Sequence, residues 1–218
     1  MLTYRTVLNN IIAFLIRQPI RRGQGHRTKP GDGSLEEDED ANAGADAGGE
    51  RATSDCCAVL VEDGGDVTME HCLVRNSRGL CMCVSGEGSG ITAKMCKFLE
   101  GAAGGILFEN GGGGFVSECD IAANRQFGVL VTNGSEPVIS SCLIHDGGAE
   151  GIVFFESGGL VSDCDVYKNT GVGICITQGS DPRVEQCRLF RGRSCGLLVQ
   201  VPNALRLPPS AFARPVVV

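Results

Sequence analysis

Six cysteines recur along the chain at a nearly constant spacing, and this period limits the fold more than any other feature. The intervals between successive members are 24, 23, 23, 22 and 23 residues. A fixed period of this size is typical of a solenoid, in which one supersecondary unit stacks on copies of itself. The six members are Cys72, Cys96, Cys119, Cys142, Cys164 and Cys187.

The rest of each unit follows the same period. A small residue precedes an apolar run about fourteen residues before each cysteine. These residues are Ala58, Gly105, Gly128, Gly151 and Gly173, with Gly79 set further back and Gly196 opening one more run. Each unit contains three short β-rich runs separated by single turns, whereas a sandwich would need longer strands and hairpins. The pattern therefore predicts an all-β fold, a right-handed parallel β-helix of about six coils of 22–24 residues.

Strand alternation assigns a direction to each position in a coil. The residues one and three places after each glycine position are apolar throughout, from Val59 and Val61 to Leu197 and Val199, with Leu80 and Met82 in the second coil. They are predicted to point inward. A third inward column comes two residues after each cysteine, and the cysteines themselves form a structural ladder. The third column contains Val74, Phe98, Ile121, Ile144, Val166 and Leu189.

Two residues after each glycine position, the side chain should point outward, yet this stripe carries no charge. Contiguous exposed apolar surface usually marks an interaction site. The sequence therefore predicts a partner-binding stripe, and the alternative is that the chain covers it itself, for example with Leu8, Ile11, Ile12, Leu15 and Ile16. The stripe consists of Leu60, Cys81, Leu107, Leu130, Val153, Cys175 and Leu198, with Phe155 beside it.

Composition divides the chain into four regions. Residues 1–30 carry six basic groups and no acidic group, and form a basic, partly amphipathic segment. Residues 31–50 carry eight acidic groups and no basic group, which predicts a disordered linker. The β-helix is predicted over 51–200, and 201–218 is predicted to be an irregular, proline-containing tail. Because no helix or polar coil caps the last repeat, we expect a fragment of a longer solenoid.

Twelve cysteines raise the questions of disulfides and of metal binding. Stacked coils lie about 4.8 Å apart, so bridges between them are geometrically allowed. The first residues contain no secretory cleavage site, and we therefore expect reduced thiols in an intracellular, cytoplasmic protein. Organelle targeting by residues 1–30 is the alternative. Cysteines stacked in a linear column cannot converge tetrahedrally on zinc. We therefore predict no metal or other cofactor at the pair Cys81 and Cys83 or at the pair Cys56 and Cys57.

Carboxylates beside the cysteine ladder are the candidates for catalysis. Glu118 and Asp120 flank one cysteine, and Asp163 and Asp165 flank another two coils later, about 9–10 Å away. Such a separation lies at the wide limit for an inverting glycosidase. Residues beside an inward cysteine are more simply read as solvated, and no catalytic residue is predicted.

The coils resemble the right-handed β-helix repeats of F-box substrate receptors of cullin–RING ubiquitin ligases and of SHC-binding protein. They resemble sugar-binding and sugar-cleaving β-helices more distantly. The shared features are the glycine followed by an apolar–x–apolar run, the turns at Thr132–Pro137 and Gln178–Pro182, and the cysteine corner. Residues 1–50 do not read as an F-box, and no zinc-type cluster follows the repeats.

The resemblance implies a non-enzymatic scaffold that binds protein partners and recruits substrates to a ubiquitin-ligase-like complex. The alternative is a carbohydrate-binding or carbohydrate-active β-helix. The repeats carry no basic stripe and the net charge is -7, which excludes binding to nucleic acid through its phosphates. The apolar run near the N-terminus is too short to span a membrane.

Overall fold

The structure is a computed structural model that describes residues 57–200. The predictions for residues 1–30, 31–50 and 201–218, and for Cys56, lie outside the described residues. Between Cys57 and Gln200 the chain forms nineteen short strands and no helix. The predicted all-β parallel solenoid of about six coils is confirmed.

The strands fall into three parallel sheets, because each coil contributes one strand to each sheet. Every strand pairs with the strand of the same type in the next coil. Sheet A contains β1 Val59–Val61, β4 Leu80–Ser85, β7 Gly104–Glu109, β10 Phe127–Thr132, β13 Glu150–Phe155, β16 Ile174–Thr177 and β19 Leu197–Gln200. Sheet B contains β2 Asp66–Glu70, β5 Gly90–Lys94, β8 Gly113–Ser117, β11 Val138–Ser140, β14 Leu160–Ser162 and β17 Arg183–Glu185. Sheet C contains β3 Leu73–Arg75, β6 Lys97–Leu99, β9 Asp120–Ala122, β12 Leu143–His145, β15 Asp165–Tyr167 and β18 Arg188–Phe190.

The core is a set of apolar columns, one member per coil, as the alternation predicts. Ile106 pairs with Val129, and Phe108 with Val131, inside one buried cluster. The third predicted column also lies in this cluster, with Leu189 packed at its edge. Thin layers of branched side chains therefore fill the interior, which explains why a chain without tryptophan can fold in this way.

The cysteine ladder occupies the corner between sheets B and C. The thiol of Cys119 donates to the carbonyl of Ser117 at 3.1 Å and accepts the amide N–H of Cys96 at 3.4 Å. Cys142 repeats both contacts one coil later. The ladder therefore links successive coils through backbone groups, and each of the six ladder cysteines is a free thiol.

Most corners contain a non-glycine residue in the left-handed region, with φ near +50° to +60°. This conformation costs most L-residues energy, and a solenoid repeats that cost at every coil. Between sheets B and C the turning residue immediately precedes each cysteine. These residues are His71, Met95, Glu118, Ser141, Asp163 and Gln186.

The corner between sheets C and A alternates between asparagine and glycine. Asn124 is buried; its Oδ1 accepts the N–H of Gly101 at 2.7 Å, and its Nδ2 donates to the carbonyl of Phe98 at 3.1 Å. Asn169 bonds Gly147 in the same way, at 2.9 Å. A Cβ on Gly147 would lie only 2.8 Å from the Asn169 oxygen, so the glycine is needed for this contact. This corner therefore repeats every two coils, in addition to the 23-residue period of single coils, and this longer repeat was not predicted.

Candidate interaction surface

The predicted apolar stripe lies in one column of sheet A, with one correction. Leu107 pairs with Cys83, and Met82 pairs with Ile106, so the inward residues of the second coil are Met82 and Val84. Cys81 instead belongs to the core cluster. The prediction for Cys81 was wrong because Gly79 lies two residues further from the strand than the other glycines. The outer column of sheet A is Leu60, Cys83, Leu107, Leu130, Val153, Cys175 and Leu198.

This column is buried, although it is separate from the core. The five central members, from Cys83 to Cys175, are at most 4% exposed, yet none belongs to the core cluster. Leu60 is 38% exposed, and Leu198 and Phe155 are half-buried. The sequence identified an uncharged column facing away from the core, but its expected exposure to solvent was wrong for the central members. The alternative that Leu8 to Ile16 cover this column concerns residues outside the described ones.

Sheet A also buries carboxylates. Glu150, at the start of β13, is 3% exposed, and its Oε2 has no hydrogen-bond partner. Burial raises the pKa of Glu150 to about 7. Burial likewise raises the pKa of Glu109, whose carboxylate accepts a hydrogen bond from the Cys83 thiol. An ionised carboxylate is costly in such a place, so sheet A tolerates Glu150 best in its neutral form.

Sheet B carries an apolar column that is exposed. Phe115 is 59% exposed and pairs with Val138, which pairs with Leu160; both of these are half-buried. We call these three residues the outer column of sheet B. This column was not predicted, although each member stands four residues before a ladder cysteine. Thr68, Thr92 and Arg183 occupy the same position in the other coils, so the apolar patch spans three consecutive coils.

The corner between sheets A and B is acidic in every described coil. It carries seven carboxylates and no lysine or arginine, and all except the half-buried Glu109 are exposed. None of the seven forms an ion pair among the described residues. We call this set the acidic corner: Glu62, Asp63, Glu87, Glu109, Glu136, Glu156 and Asp181.

Basic residues collect at a different corner, after the strands of sheet C. Arg78, Arg125, Lys168, Arg191 and Arg193 all lie there and are exposed. Glu100 and Asp146 are the acidic residues of that corner, and Glu100 pairs with Arg75 at the end of β3. Acidic residues therefore collect at the corner between sheets A and B, and basic residues collect at the corner between sheets C and A.

The carboxylates that flank the cysteine ladder are mostly paired with cations. Glu118 lies 3.6 Å from the Nζ of Lys94, and Asp120 lies 3.7 Å from that of Lys97. Arg188 donates two hydrogen bonds to Asp165. Asp163 lies at an exposed corner. The four carboxylates do not converge on one point, which favours the reading of a solvated, ion-paired face.

One polar cluster on sheet C was not predicted as a unit. The Nε2 of His145 lies 3.0 Å from Asp120, and its Nδ1 lies 2.7 Å from Asp146. Its ring stacks on Tyr167 at 4.6 Å, and Tyr167 stacks on Phe190 at 5.0 Å. Register produces this stack, because the three residues occupy one position in successive coils.

The thiols of Cys81 and Cys96 have the properties of core groups. Burial raises the pKa of Cys81 to about 11 and also raises that of Cys96. Protonated, buried thiols are poor nucleophiles. Among residues 57–200, no three His, Cys, Asp or Glu side chains are placed to hold a metal ion. The same part of the chain contains no helix long and apolar enough to cross a membrane.

The family model for right-handed β-helix regions matches residues 53–189. This match covers more than half of the 218 residues, and the chain belongs to the right-handed β-helix family. No curated protein and no solved structure matches the chain. The family occurs in carbohydrate-active enzymes and in scaffolds. Membership therefore establishes the fold, and the function has to be inferred from the surfaces of the solenoid.

Proposed function

We propose that this protein is a non-enzymatic β-helical scaffold that binds a protein partner on the outer face of sheet B. The observation that carries the proposal is the exposure of Phe115, 59%, in the middle of an apolar column. A phenylalanine that the fold needs would be buried, as Phe98, Phe108 and Phe154 are. An exposed apolar side chain continuous with two others is the usual core of a binding surface.

The rigidity of the solenoid supports this function. The strands β8, β11 and β14 pair with one another in unbroken register, so the three side chains of the column keep fixed positions. A partner that binds there does not have to order the surface first, and this lowers the entropic cost of association. The ion pairs of Asp120, Asp165 and Glu118 also favour a scaffold over an enzyme, because their carboxylates serve cations of the protein itself.

Recruitment of substrates to a ubiquitin-ligase-like complex is the specific form of this function that the repeat resemblance implies, and we retain it as part of the proposal. Binding of a partner to the outer column of sheet A remains a prediction. Its central side chains are withdrawn from solvent, so a partner would reach chiefly Leu60 and Leu198.

Photo-cross-linking tests the proposal. A photoreactive residue is placed at position 115 or, as a matched control, at position 73. Leu73 is also 59% exposed but lies on sheet C, beside Lys97. We expect a discrete cross-linked protein from position 115 that is lost when Val138 is also changed to Ser, and no such product from position 73. Equal products from both positions, or none from position 115, would refute the proposal.

Carbohydrate binding is the second candidate, and the cluster around His145 favours it. Carboxylates and aromatic rings often contact sugars together, and here Asp120, Asp146 and Tyr167 surround one imidazole. The test is calorimetric titration of the protein with neutral and acidic oligosaccharides, with Asp120→Ala as the matched variant. Heat of binding that disappears in the variant would favour this candidate. An absent signal would eliminate carbohydrate binding, and an unchanged signal would exclude the cluster around His145 as its site.

A further inference from the structure

We infer that the partner's contact segment is a basic amphipathic helix, which lies along the solenoid axis with its apolar face on the outer column of sheet B and its lysines or arginines over the acidic corner. This inference rests on the proposed function and specifies its partner. Two neighbouring features of one face carry it, the exposed apolar column and the unpaired carboxylates beside it.

The two features run side by side. Glu136 stands two residues before Val138 in the chain, so it lies about 7 Å along the strand from the apolar column. Its side chain extends toward the next coil, where Oε1 would be 3.4 Å from a Cβ on Gly158. Glu87 lies against Gly111 in the same way. The glycines leave room for these carboxylates, which remain at the rim of the patch.

The carboxylates at this rim have no cationic partner in the described part of the chain. Glu136 and Asp181 occupy the same position two coils apart, about 9–10 Å, and at that distance their like charges repel at low salt. None of Glu87, Glu136, Glu156 and Asp181 forms an ion pair among the residues described. Cationic side chains of a partner would relieve this repulsion. An anionic membrane or a nucleic acid would increase it, and this leaves a basic protein segment as the occupant.

Strand geometry favours a helix over an added strand. The strand β11 is hydrogen-bonded to β8 on one side and β14 on the other, so its backbone offers no free edge. A partner must therefore contact side chains on the face of the sheet. A helix satisfies its own backbone and presents an apolar stripe flanked by charges. Its pitch of about 5.4 Å stays close to the coil spacing of about 4.8 Å over the three coils of the patch.

Fluorescence anisotropy with a synthetic peptide tests the inference. The probe is a labelled 18-residue helix with leucines on one face and lysines on one flank, and the matched probe has glutamates in place of the lysines. The full chain is compared with Phe115→Ser, with the double variant Glu136→Lys, Asp181→Lys, and with the controls Leu73→Ser and Asp163→Lys. Circular dichroism confirms that each variant is folded.

We expect the lysine probe to bind the parent and both controls, and the glutamate probe to bind none. The double charge reversal should weaken binding about tenfold, as should Phe115→Ser, and added salt should weaken binding to the parent. Equal binding of the two probes, or no effect of the charge reversal, would overturn the inference. If position 115 still cross-links its partner in the Glu136→Lys, Asp181→Lys variant, the proposed function stands and the inferred basic helix is wrong. If neither readout depends on Phe115, both fail.

Discussion

The outer column of sheet A and the outer column of sheet B have the same origin and opposite environments. Each consists of side chains that point away from the core at one position of successive coils. Leu130 in sheet A is fully buried, whereas Phe115 in sheet B is 59% exposed. The direction of a side chain in a β-helix therefore does not determine its exposure. An apolar outer column contributes to stability where it is buried and to recognition where it is exposed.

A charge placed in each column should separate the two most strongly. We expect Leu130→Asp to lower the free energy of unfolding by more than about 4 kcal/mol, because it buries an unpaired carboxylate. Phe115→Asp should change it by less than about 1 kcal/mol, because position 115 is solvated. Urea denaturation followed by circular dichroism measures both. Similar losses in the two variants would mean that the columns do not differ.

Thiol labelling should show the same difference in exposure without any substitution in sheet A. Cys83 and Cys175 belong to its outer column and are buried, whereas Cys195 is exposed. We expect maleimide to modify Cys83 and Cys175 at least about a hundredfold more slowly than Cys195, because labelling requires local opening. A Phe115→Cys variant should label at the rate of Cys195. Peptide mass spectrometry assigns each site, and fast modification of Cys175 would contradict the burial of the column.

The carboxylates of the two regions should differ in their response to pH. The folded pKa of Glu150, about 7, lies above its ordinary value of 4.5. The unfolded chain therefore loses this proton first, and Glu150 lowers stability progressively as the pH rises from about 4.5 to about 7. We expect Glu150→Gln to stabilise the protein by about 3 kcal/mol at pH 8 and to have little effect at pH 4.5.

Glu136→Gln is the matched control, because Glu136 is an exposed member of the acidic corner. Its effect on the free energy of unfolding at pH 8 should be much smaller than that of Glu150→Gln, because solvent screens an exposed charge. A gain from Glu150→Gln that is equally large at pH 4.5 would show that packing, and not ionisation, is responsible.

A smaller effect is expected at the corner that joins the two sheets. Glu156 turns this corner with φ near +50°, a conformation that glycine adopts without strain. Glu156→Gly should raise the free energy of unfolding by about 0.5–1 kcal/mol, after the greater entropy of the unfolded chain is counted. Thermal denaturation measures the gain. Maleimide labelling of Cys175 should be unchanged, and a faster rate would show that the corner controls access to sheet A.

The sequence was sufficient to predict the coils and the inward columns, because both follow from local periods. Ile106, Phe108 and Ile121 lie where alternation places them. Cys81 was assigned wrongly because the segment between Gly79 and the outer position of β4 is two residues longer than in the other coils, so that position is held by Cys83. Alternation could predict that Leu130 faces outward, but its burial depends on surfaces that no local pattern describes. The column that begins at Phe115 was missed because three apolar residues, 22 or 23 positions apart, are recognisable only after the coils are aligned.

The Asn–Gly alternation at the corner between sheets C and A has a consequence for how such a chain can grow. Asn124 fits because the preceding coil has Gly101, and Asn169 fits because the preceding coil has Gly147. Loss or duplication of one coil would bring two asparagines or two glycines into register, which leaves either a steric clash or an amide without its partner. Two coils can be inserted or removed together without this conflict. The natural unit of length variation in this solenoid is therefore a pair of coils.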